Sequence, residues 1–228
     1  MNKRDSFTGL FNAALAVIFD FDGVLADSER YHFLAYRDVF ARYGHTVDER
    51  EYYKYWTSLG LGPRGEIERH HLDLDPTAIR DEKRPTFSEY CRSGAIRVYN
   101  EIPAILERLS RAGLVLAVAS GTSKEDITAV LDTAGLRGYF SVIVGCDEIP
   151  AIKPAPDVFL AAMKRLEMKP SECLVIEDAE KGVTAARAAR VPVIVVRTNE
   201  TRAIDFSDAD LVLDSLAELL TLIPEGPS

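Results

Sequence analysis

Cysteine is scarce in this chain, and long apolar runs are missing from it. The 228 residues include only three cysteines, which lie far apart and form no C-x-x-C pair. An odd number of isolated cysteines indicates neither a disulfide framework nor a zinc site, and it is typical of a reducing compartment. The longest apolar runs have the length of a strand, far below the roughly 18 residues of a membrane span. We therefore expect a cytoplasmic protein with no membrane partner.

Positive charge is also in deficit. The chain has 27 lysines and arginines against 36 acidic residues, a formal net charge of −9. This balance argues against a nonspecific nucleic-acid binder, which normally shows a basic surface. If the substrate is an anion, the binding site must create its own local positive potential.

Short apolar runs rich in valine and isoleucine predict the strands. Continuous runs of this kind are typical of a parallel sheet that is buried on both faces. They are Leu15–Phe19, Leu114–Ala119, Val142–Val144, Cys173–Ile176 and Val191–Val196, with a shorter edge strand at Leu211–Leu213. Helical patterns alternate with the later strands, at Glu101–Ala112, Ser123–Ala134, Pro156–Leu166 and Glu180–Ala189. The alternation predicts a doubly wound, Rossmann-like α/β fold, preceded by a short flexible tail over residues 1–14.

One interval breaks the alternation of strands and helices. Residues 28–99 contain no buried-strand run, only amphipathic helical patterns such as Tyr31–Tyr43 and Pro85–Tyr99. So long an interval is not a simple loop. We expect a catalytic core formed by residues 1–27 and 100–228, with residues 28–99 inserted as a helical cap. The alternative is one α/β domain with extra helices packed on its side.

Polar residues follow several of the predicted strands. In an open α/β sheet, ligands bind at the carboxyl ends of the strands. Those ends carry Asp20 and Asp22, then Ser120-Gly121-Thr122, then Lys153-Pro154, and finally Glu177-Asp178. Four segments that are distant along the chain should therefore meet at one edge of the sheet.

The residue types at this edge suit a phosphate ester and a hard cation. A carboxylate such as Asp20 at the end of an apolar strand is costly unless it is paired or binds a metal. Clustered carboxylates repel one another and need a cation, and oxygen ligands alone favour Mg²⁺. The Lys153 ammonium and the Ser120 hydroxyl, with the Gly121 and Thr122 amides, are suited to bind phosphoryl oxygens. A helix cap at Ser120 and a solvated or capping role for the aspartates are the simpler alternatives.

Taken together, these motifs resemble those of the haloacid dehalogenase superfamily, in the same order, from about residue 16 to residue 213. The resemblance implies that Asp20 is the nucleophile and Asp22 the general acid and base. It implies Mg²⁺ bound by Asp20, the backbone carbonyl of Asp22 and Asp178, with Glu177 a direct or water-mediated ligand. It also implies that Ser120 and Lys153 bind the phosphoryl oxygens. The dehalogenases of the superfamily work without metal and lack the second acid, so Asp22 favours a phosphatase.

Within the superfamily, the helical insertion and the stretch 27–32 resemble the branch of β-phosphoglucomutase and phosphoglycolate phosphatase. That resemblance implies that His32 and Asp27, with a cap lysine at Lys83, couple domain closure to catalysis. Arg84 is a competing candidate for the lysine's role. It also implies that Arg64 binds a second phosphate of the substrate. The chain departs from the mutase pattern after Ser120, where it has Gly-Thr-Ser-Lys-Glu.

We therefore expect a Mg²⁺-dependent phosphatase that acts on a small-molecule phosphate ester through an aspartyl-phosphate, as a monomer or weak dimer. A sugar-phosphate mutase is the alternative, and a phospho-aspartate receiver domain is a less favoured one. The pair His70-His71 is interpreted as solvated, because no cysteine or third histidine lies at ligand spacing in the sequence.

Overall fold

Six parallel strands form one sheet in the computed structural model, which describes residues 2–58 and 60–225. The strands are Ala16–Phe19 (β1), Val115–Ala119 (β2), Phe140–Val144 (β3), Cys173–Glu177 (β4), Val193–Val196 (β5) and Leu211–Leu213 (β6). Their spatial order is β3-β2-β1-β4-β5-β6, and each neighbouring pair is parallel. The predicted Rossmann-like α/β fold is confirmed, and so is the edge position of β6.

The central strand shows why the strand runs are continuously apolar. Val17 and Phe19 of β1 pack into one hydrophobic cluster, and Ala16 and Ile18 pack into another. Since side chains alternate between the two faces of a strand, both faces of β1 are covered and no position is left for a polar residue. β4 is also buried throughout its length, and its apolar run ends at the buried Glu177.

Helices connect the strands. They are Lys3–Ala13 (α1), Glu29–Arg42 (α2), Glu49–Glu51 (α3), Gly62–Arg69 (α4), Pro76–Arg92 (α5), Ile102–Arg111 (α6), Lys124–Thr133 (α7), Asp157–Leu166 (α8), Glu180–Ala188 (α9) and Leu216–Leu222 (α10). Ser123 caps α7 by accepting a hydrogen bond from the Asp126 amide, as predicted. Gly113 and Gly135 follow α6 and α7 with positive φ, so these two helix ends were predicted correctly.

The expected flexible tail at residues 1–14 is wrong, because α1 occupies most of it. Asn2 caps this helix, and Phe7 is only 2% exposed. Phe7 stacks on Phe11 with the ring centroids 5.5 Å apart, and α1 packs against α10 and β6. These contacts come from the far end of the chain, so the local sequence does not reveal them.

Helices α2 to α5 lie between β1 and β2, with a π-helix at Tyr52–Ser58 directly after α3. They share a hydrophobic cluster of their own, which includes Phe33, Phe40 and Trp56. The predicted helix at Pro85–Tyr99 is wrong in its bounds, because α5 begins at Pro76, is capped by Asp75 and contains Pro85. The division into core and cap at residues 28 and 99 stays a prediction.

Within the described part of the chain, no helix combines the length and the apolar character that crossing a membrane requires.

Candidate active site

The order of the strands brings the predicted site residues to one edge of the sheet. β1 lies between β2 and β4, with Phe19 opposite Val118 on one side and Ile176 on the other. Asp20 therefore lies between the ends of β2 and β4. Ser120 and Glu177 are found at those two ends, both fully buried.

Lys153 joins these strand ends through a buried network. Its Nζ donates to Asp20 Oδ1 at 2.7 Å, to Glu177 Oε1 at 2.6 Å and to the Ala119 carbonyl at 3.0 Å. Burial by itself would lower the pKa of Lys153, but the two carboxylates outweigh it and raise this pKa above its ordinary value. The lysine is thus held as an ammonium at the end of β1.

More negative charge than one ammonium can balance gathers here. One carboxylate oxygen from each of Asp20, Glu177 and Asp178 lies within 4.8 Å of the others. Burial, followed by the charge of Glu177, raises the pKa of Asp20 to about 7 and that of Asp178 well above its usual range. A cluster in which ionisation is costly and every ligand is oxygen fits a hard divalent cation such as Mg²⁺.

Two glycines make the close approach of these acids possible. Gly23 has φ +77°, and a Cβ built on it would lie 2.1 Å from Asp178 Oδ2. Gly182 on α9 faces Glu177, whose Cδ would be 1.9 Å from a Cβ at that position. Gly23 directly follows Asp22 in the sequence, where a glycine permits a sharp turn. Sequence reasoning did not identify Gly182, which follows Asp178 by four residues.

Asp22 is surrounded by hydrogen-bond donors from both sides of the site. Its Oδ1 accepts from Ser28 Oγ at 2.6 Å and lies 3.0 Å from His32 Nε2. Its Oδ2 accepts from Thr122 Oγ1 at 2.7 Å and from Ser120 Oγ at 3.3 Å. Burial would raise the pKa of Asp22, but His32 and the hydroxyls reverse the direction and lower it below its ordinary value.

Ser28 and the hydroxyl of Thr122 are contacts that sequence reasoning did not identify. Ser28 lies between Asp27 and α2, and its local sequence indicates only a residue at the start of a helix. Ser120 was expected to bind phosphate, and here its Oγ also accepts from the Thr122 amide at 3.1 Å. The hydroxyls that face the site therefore hold Asp22 in this structure.

His32 extends the contact from Asp22 to Lys83 on α5. Lys83 Nζ is 2.6 Å from His32 Nδ1, and burial lowers the pKa of this lysine to about 8. The His32 ring stacks on Phe87 with centroids 4.0 Å apart. His32 and Lys83, both predicted from the sequence, are therefore in contact, whereas Arg84, the competing candidate for the lysine's role, is exposed.

Arg64 and Gly121 are the remaining predicted site residues. Both are exposed, Arg64 on α4 and Gly121 directly after the buried Ser120. In the regions that the structure describes, no hydrogen bond or ion pair links Arg64 with Asp22, His32 or Lys83. The geometry thus brings Gly121 to the strand ends and leaves the role of Arg64 a prediction.

Known proteins resemble this chain over most of its length. The family model for haloacid dehalogenase-like hydrolases matches residues 17–196. The chain is 32% identical over 225 residues to protein CbbY of Rhodobacter capsulatus, and the alignment covers 93% of this chain and 98% of that protein. It is 34% identical over 194 residues to fructose-1-phosphate phosphatase YqaB of Escherichia coli, and this alignment covers 82% of this chain and 99% of that protein.

A solved structure has the same fold. CbbY from Rhodobacter sphaeroides in complex with xylulose-(1,5)bisphosphate is 32% identical and superposes with a TM-score of 0.77. The superposition covers 92% of this chain and 99% of that one. It therefore extends over most of the sheet and its connecting helices.

Proposed function

We propose that this chain, which belongs to the haloacid dehalogenase-like hydrolase family and is a phosphatase, hydrolyses a small sugar phosphate or similar metabolite. The reaction would pass through an aspartyl-phosphate on Asp20, with Mg²⁺ as the cofactor. The observation that carries the proposal is the position of Asp20 at the end of β1, 2.7 Å from the Lys153 ammonium and clustered with Asp178.

The acidic cluster fits Mg²⁺, which would be held by Asp20, Asp178 and the backbone carbonyl of Asp22. Glu177 already uses Oε1 to accept from Lys153, and Oε2 accepts from the amides of Asp178 and Ala179 at 3.1 and 3.3 Å. This favours contact between Glu177 and the ion through water. When bound, the ion reduces the repulsion between the nucleophile and the phosphate and helps to orient the transferring group.

Two residues carry the covalent steps. The Asp20 carboxylate attacks phosphorus, and the bond from phosphorus to the ester oxygen breaks with its electron pair on that oxygen. Asp22 in its protonated form donates a proton to the departing alcohol, although His32 and the hydroxyls favour its ionised form in this structure. Asp22 then takes a proton from water, which attacks the phosphorus of the aspartyl-phosphate, and inorganic phosphate and the free Asp20 carboxylate result.

Other residues bind and position. The phosphoryl oxygens would be bound by Lys153, the Ser120 hydroxyl and the amides of Gly121 and Thr122. These donors supply the local positive potential that an acidic protein otherwise lacks. His32 contacts Asp22, and Lys83 contacts His32. Both residues lie in the proposed cap at residues 28–99, so closure of the cap would change the contacts that Asp22 makes. Arg64 would bind the distal part of the substrate.

Phosphate release is expected to require Mg²⁺. Chelation with EDTA should lower turnover by at least about 10²-fold, and added Mg²⁺ should restore it, since the acids repel the substrate without the cation. The measurement is release of inorganic phosphate from a panel that includes fructose 1-phosphate, xylulose 1,5-bisphosphate and an aryl phosphate. The first two compounds are chosen from the names of the relatives. Full activity in EDTA would contradict the cofactor assignment.

The same panel separates the alternatives. With β-glucose 1-phosphate and a trace of bisphosphate, a mutase forms glucose 6-phosphate, whereas a phosphatase releases inorganic phosphate as its main product. A phospho-enzyme that persists for minutes without turnover would instead favour the receiver-domain alternative. The oligomeric state, a monomer or weak dimer, stays a prediction.

The variant Gly23→Ala should weaken the cation site. The new Cβ would collide with Asp178 Oδ2 at 2.1 Å, and φ +77° is strained for alanine, at a cost of about 1–2 kcal/mol. We expect the Mg²⁺ concentration for half-maximal activity to rise at least about tenfold. Mg²⁺ titration of phosphate release measures this. Gly138→Ala is the matched control, because its Cβ meets no atom within 4 Å; equal Mg²⁺ requirements in both variants would contradict the role of Gly23.

A further inference from the structure

A second cluster of ligand atoms lies in the helical segment, apart from the proposed active site. Glu66 on α4 is only 1% exposed, and its Oε1 lies 2.8 Å from His45 Nε2 and 3.5 Å from His70 Nε2. One ligand atom from each of His45, Glu66 and His70 lies within 4.8 Å of the others. His70 and His71 are both exposed, as expected, but His70 also contacts Glu66 and the His45 ring.

The carboxylate of Glu66 is oriented by its other oxygen. Oε2 accepts from Trp56 Nε1 at 3.1 Å and from Arg69 Nη1 at 3.2 Å. Because both donors bind Oε2, the carboxylate presents Oε1 to the two imidazoles. Outer contacts that fix the orientation of a ligand are typical of metal sites.

We propose that His45 Nε2, Glu66 Oε1 and His70 Nε2 bind one transition-metal ion of the Zn²⁺ class. Two imidazole nitrogens beside a carboxylate suit Zn²⁺, Co²⁺ or Ni²⁺, whereas Mg²⁺ prefers oxygen ligands. The ion would connect the loop after α2 to the end of α4. The site is independent of the catalytic proposal, since it shares no residue with the strand ends.

The distances suit such an ion with little movement. Bonds of about 2.0–2.1 Å in a tetrahedral site place neighbouring ligand atoms about 3.3 Å apart. His70 Nε2 is 3.5 Å from Glu66 Oε1, and Glu51 Oε2 is 3.6 Å from the same nitrogen. Water can complete the site, or Glu51 can do so once its Oε2 is released from Arg69. The pair His45–Glu66 at 2.8 Å must open slightly. The His70 side chain is 36% exposed, which gives the ion a path from solvent.

Arg69 is the positive charge closest to this cluster. It pairs with Glu51 as well as with Oε2 of Glu66. Glu66 therefore keeps Oε1 for a metal, but the Arg69 guanidinium pairs with Oε2 of Glu51 and lies 3.4 Å from His70 Nε2, so it must move when the ion binds. The two acids together exceed this single guanidinium in charge. The competing interpretation is a network of hydrogen bonds without a metal, in which the imidazoles donate to Oε1 of Glu66.

The test is binding of Zn²⁺ to the full chain by equilibrium dialysis, with saturating Mg²⁺ to occupy the acidic cluster. The wild-type protein should bind one equivalent, and Co²⁺ in its place should give the visible absorption of a tetrahedral site. His70→Ala and His45→Ala should each weaken Zn²⁺ binding at least tenfold. His71→Asn is the matched control and should bind as the wild type does, because asparagine tolerates the φ of 51° at this position.

Thermal unfolding gives a second readout that does not involve catalysis. Zn²⁺ should raise the Tm of the wild type and of His71→Asn, but not that of His70→Ala, and EDTA should remove the difference. Circular dichroism in EDTA establishes that each variant is folded before metal is added. The proposal would be overturned if the wild type binds no Zn²⁺ in the presence of Mg²⁺, or if His70→Ala binds it equally well. Either result would favour the hydrogen-bonded network without a metal.

Discussion

The variant Asp20→Asn is expected to lower kcat for phosphate release by on the order of 10⁴-fold or more, with the protein still folded. The amide has nearly the shape of the carboxylate and its Oδ1 can still accept from Lys153 Nζ, but it is not a nucleophile toward phosphorus. No aspartyl-phosphate should form. Rapid quenching with a radiolabelled substrate would detect the labelled enzyme in the wild type and its absence in the variant.

Stability provides the internal check on this variant. Burial and the charge of Glu177 raise the pKa of Asp20 to about 7. A raised folded-state pKa means that the ionised form destabilises the fold, and that this cost grows as pH rises from the ordinary range of a carboxyl through 7. Asparagine removes the cost, so without Mg²⁺ the Tm at neutral pH should be equal to or above that of the wild type. A variant that is folded and retains full turnover would exclude Asp20 as the nucleophile.

Asp208→Asn is the control for the loss of one acid. Asp208 is exposed, so the substitution changes the net charge by the same amount far from the strand ends. Its kcat and Mg²⁺ requirement should equal those of the wild type. A similar loss of activity in Asp208→Asn would assign the effect to net charge.

The variant Lys153→Met should lose both stability and activity. Its ammonium is the cation that Asp20 and Glu177 share in a buried site. Removing one partner of a buried ion pair destabilises a protein by about 3–5 kcal/mol, because the other charge stays buried. Loss of a group that stabilises the transferring phosphoryl should also reduce kcat by about 10²–10³-fold. Chemical denaturation and phosphate release measure the two effects.

A double variant separates the two roles of Lys153. In Lys153→Met with Glu177→Gln, one of the buried carboxylates left without its cation becomes neutral, so a large part of the lost unfolding free energy should return. Activity should stay low, because the ammonium that binds the phosphoryl oxygens is missing. Lys164→Met on α8 is the control, since Lys164 is exposed. Recovery of activity in the double variant would show that Lys153 acts on stability alone.

The strand predictions succeeded because the signal for them is local. Along β1 the residues Ala16, Val17, Ile18 and Phe19 are all buried, and a strand that is covered on both faces must be apolar at every position. Helix ends with a strong local signal, such as Ser123 at the start of α7, were also predicted correctly. Proline was misleading at position 85, because Pro76 after the capping Asp75 provided an earlier start for α5.

The site could be predicted at the strand ends and less well around them. Asp20, Asp22, Lys153 and Glu177 each follow or lie near a strand, so the topology of a parallel sheet is enough to bring them together. The partners of Asp22 include Ser28 and Thr122, and the choice of Lys83 over Arg84 depends on which side of α5 faces His32. Side-chain direction of this kind follows from packing between elements.

By itself, the sequence determined the strands, their alternation with helices and the family of the chain, because hydrophobic periodicity and the motifs at the strand ends are properties of neighbouring residues. The tertiary structure decided which charges meet. It placed Lys153 between Asp20 and Glu177, folded α1 onto α10, and brought His45 to Glu66 and His70. Those contacts join residues that are separated along the chain, and no local pattern specifies the distance between them.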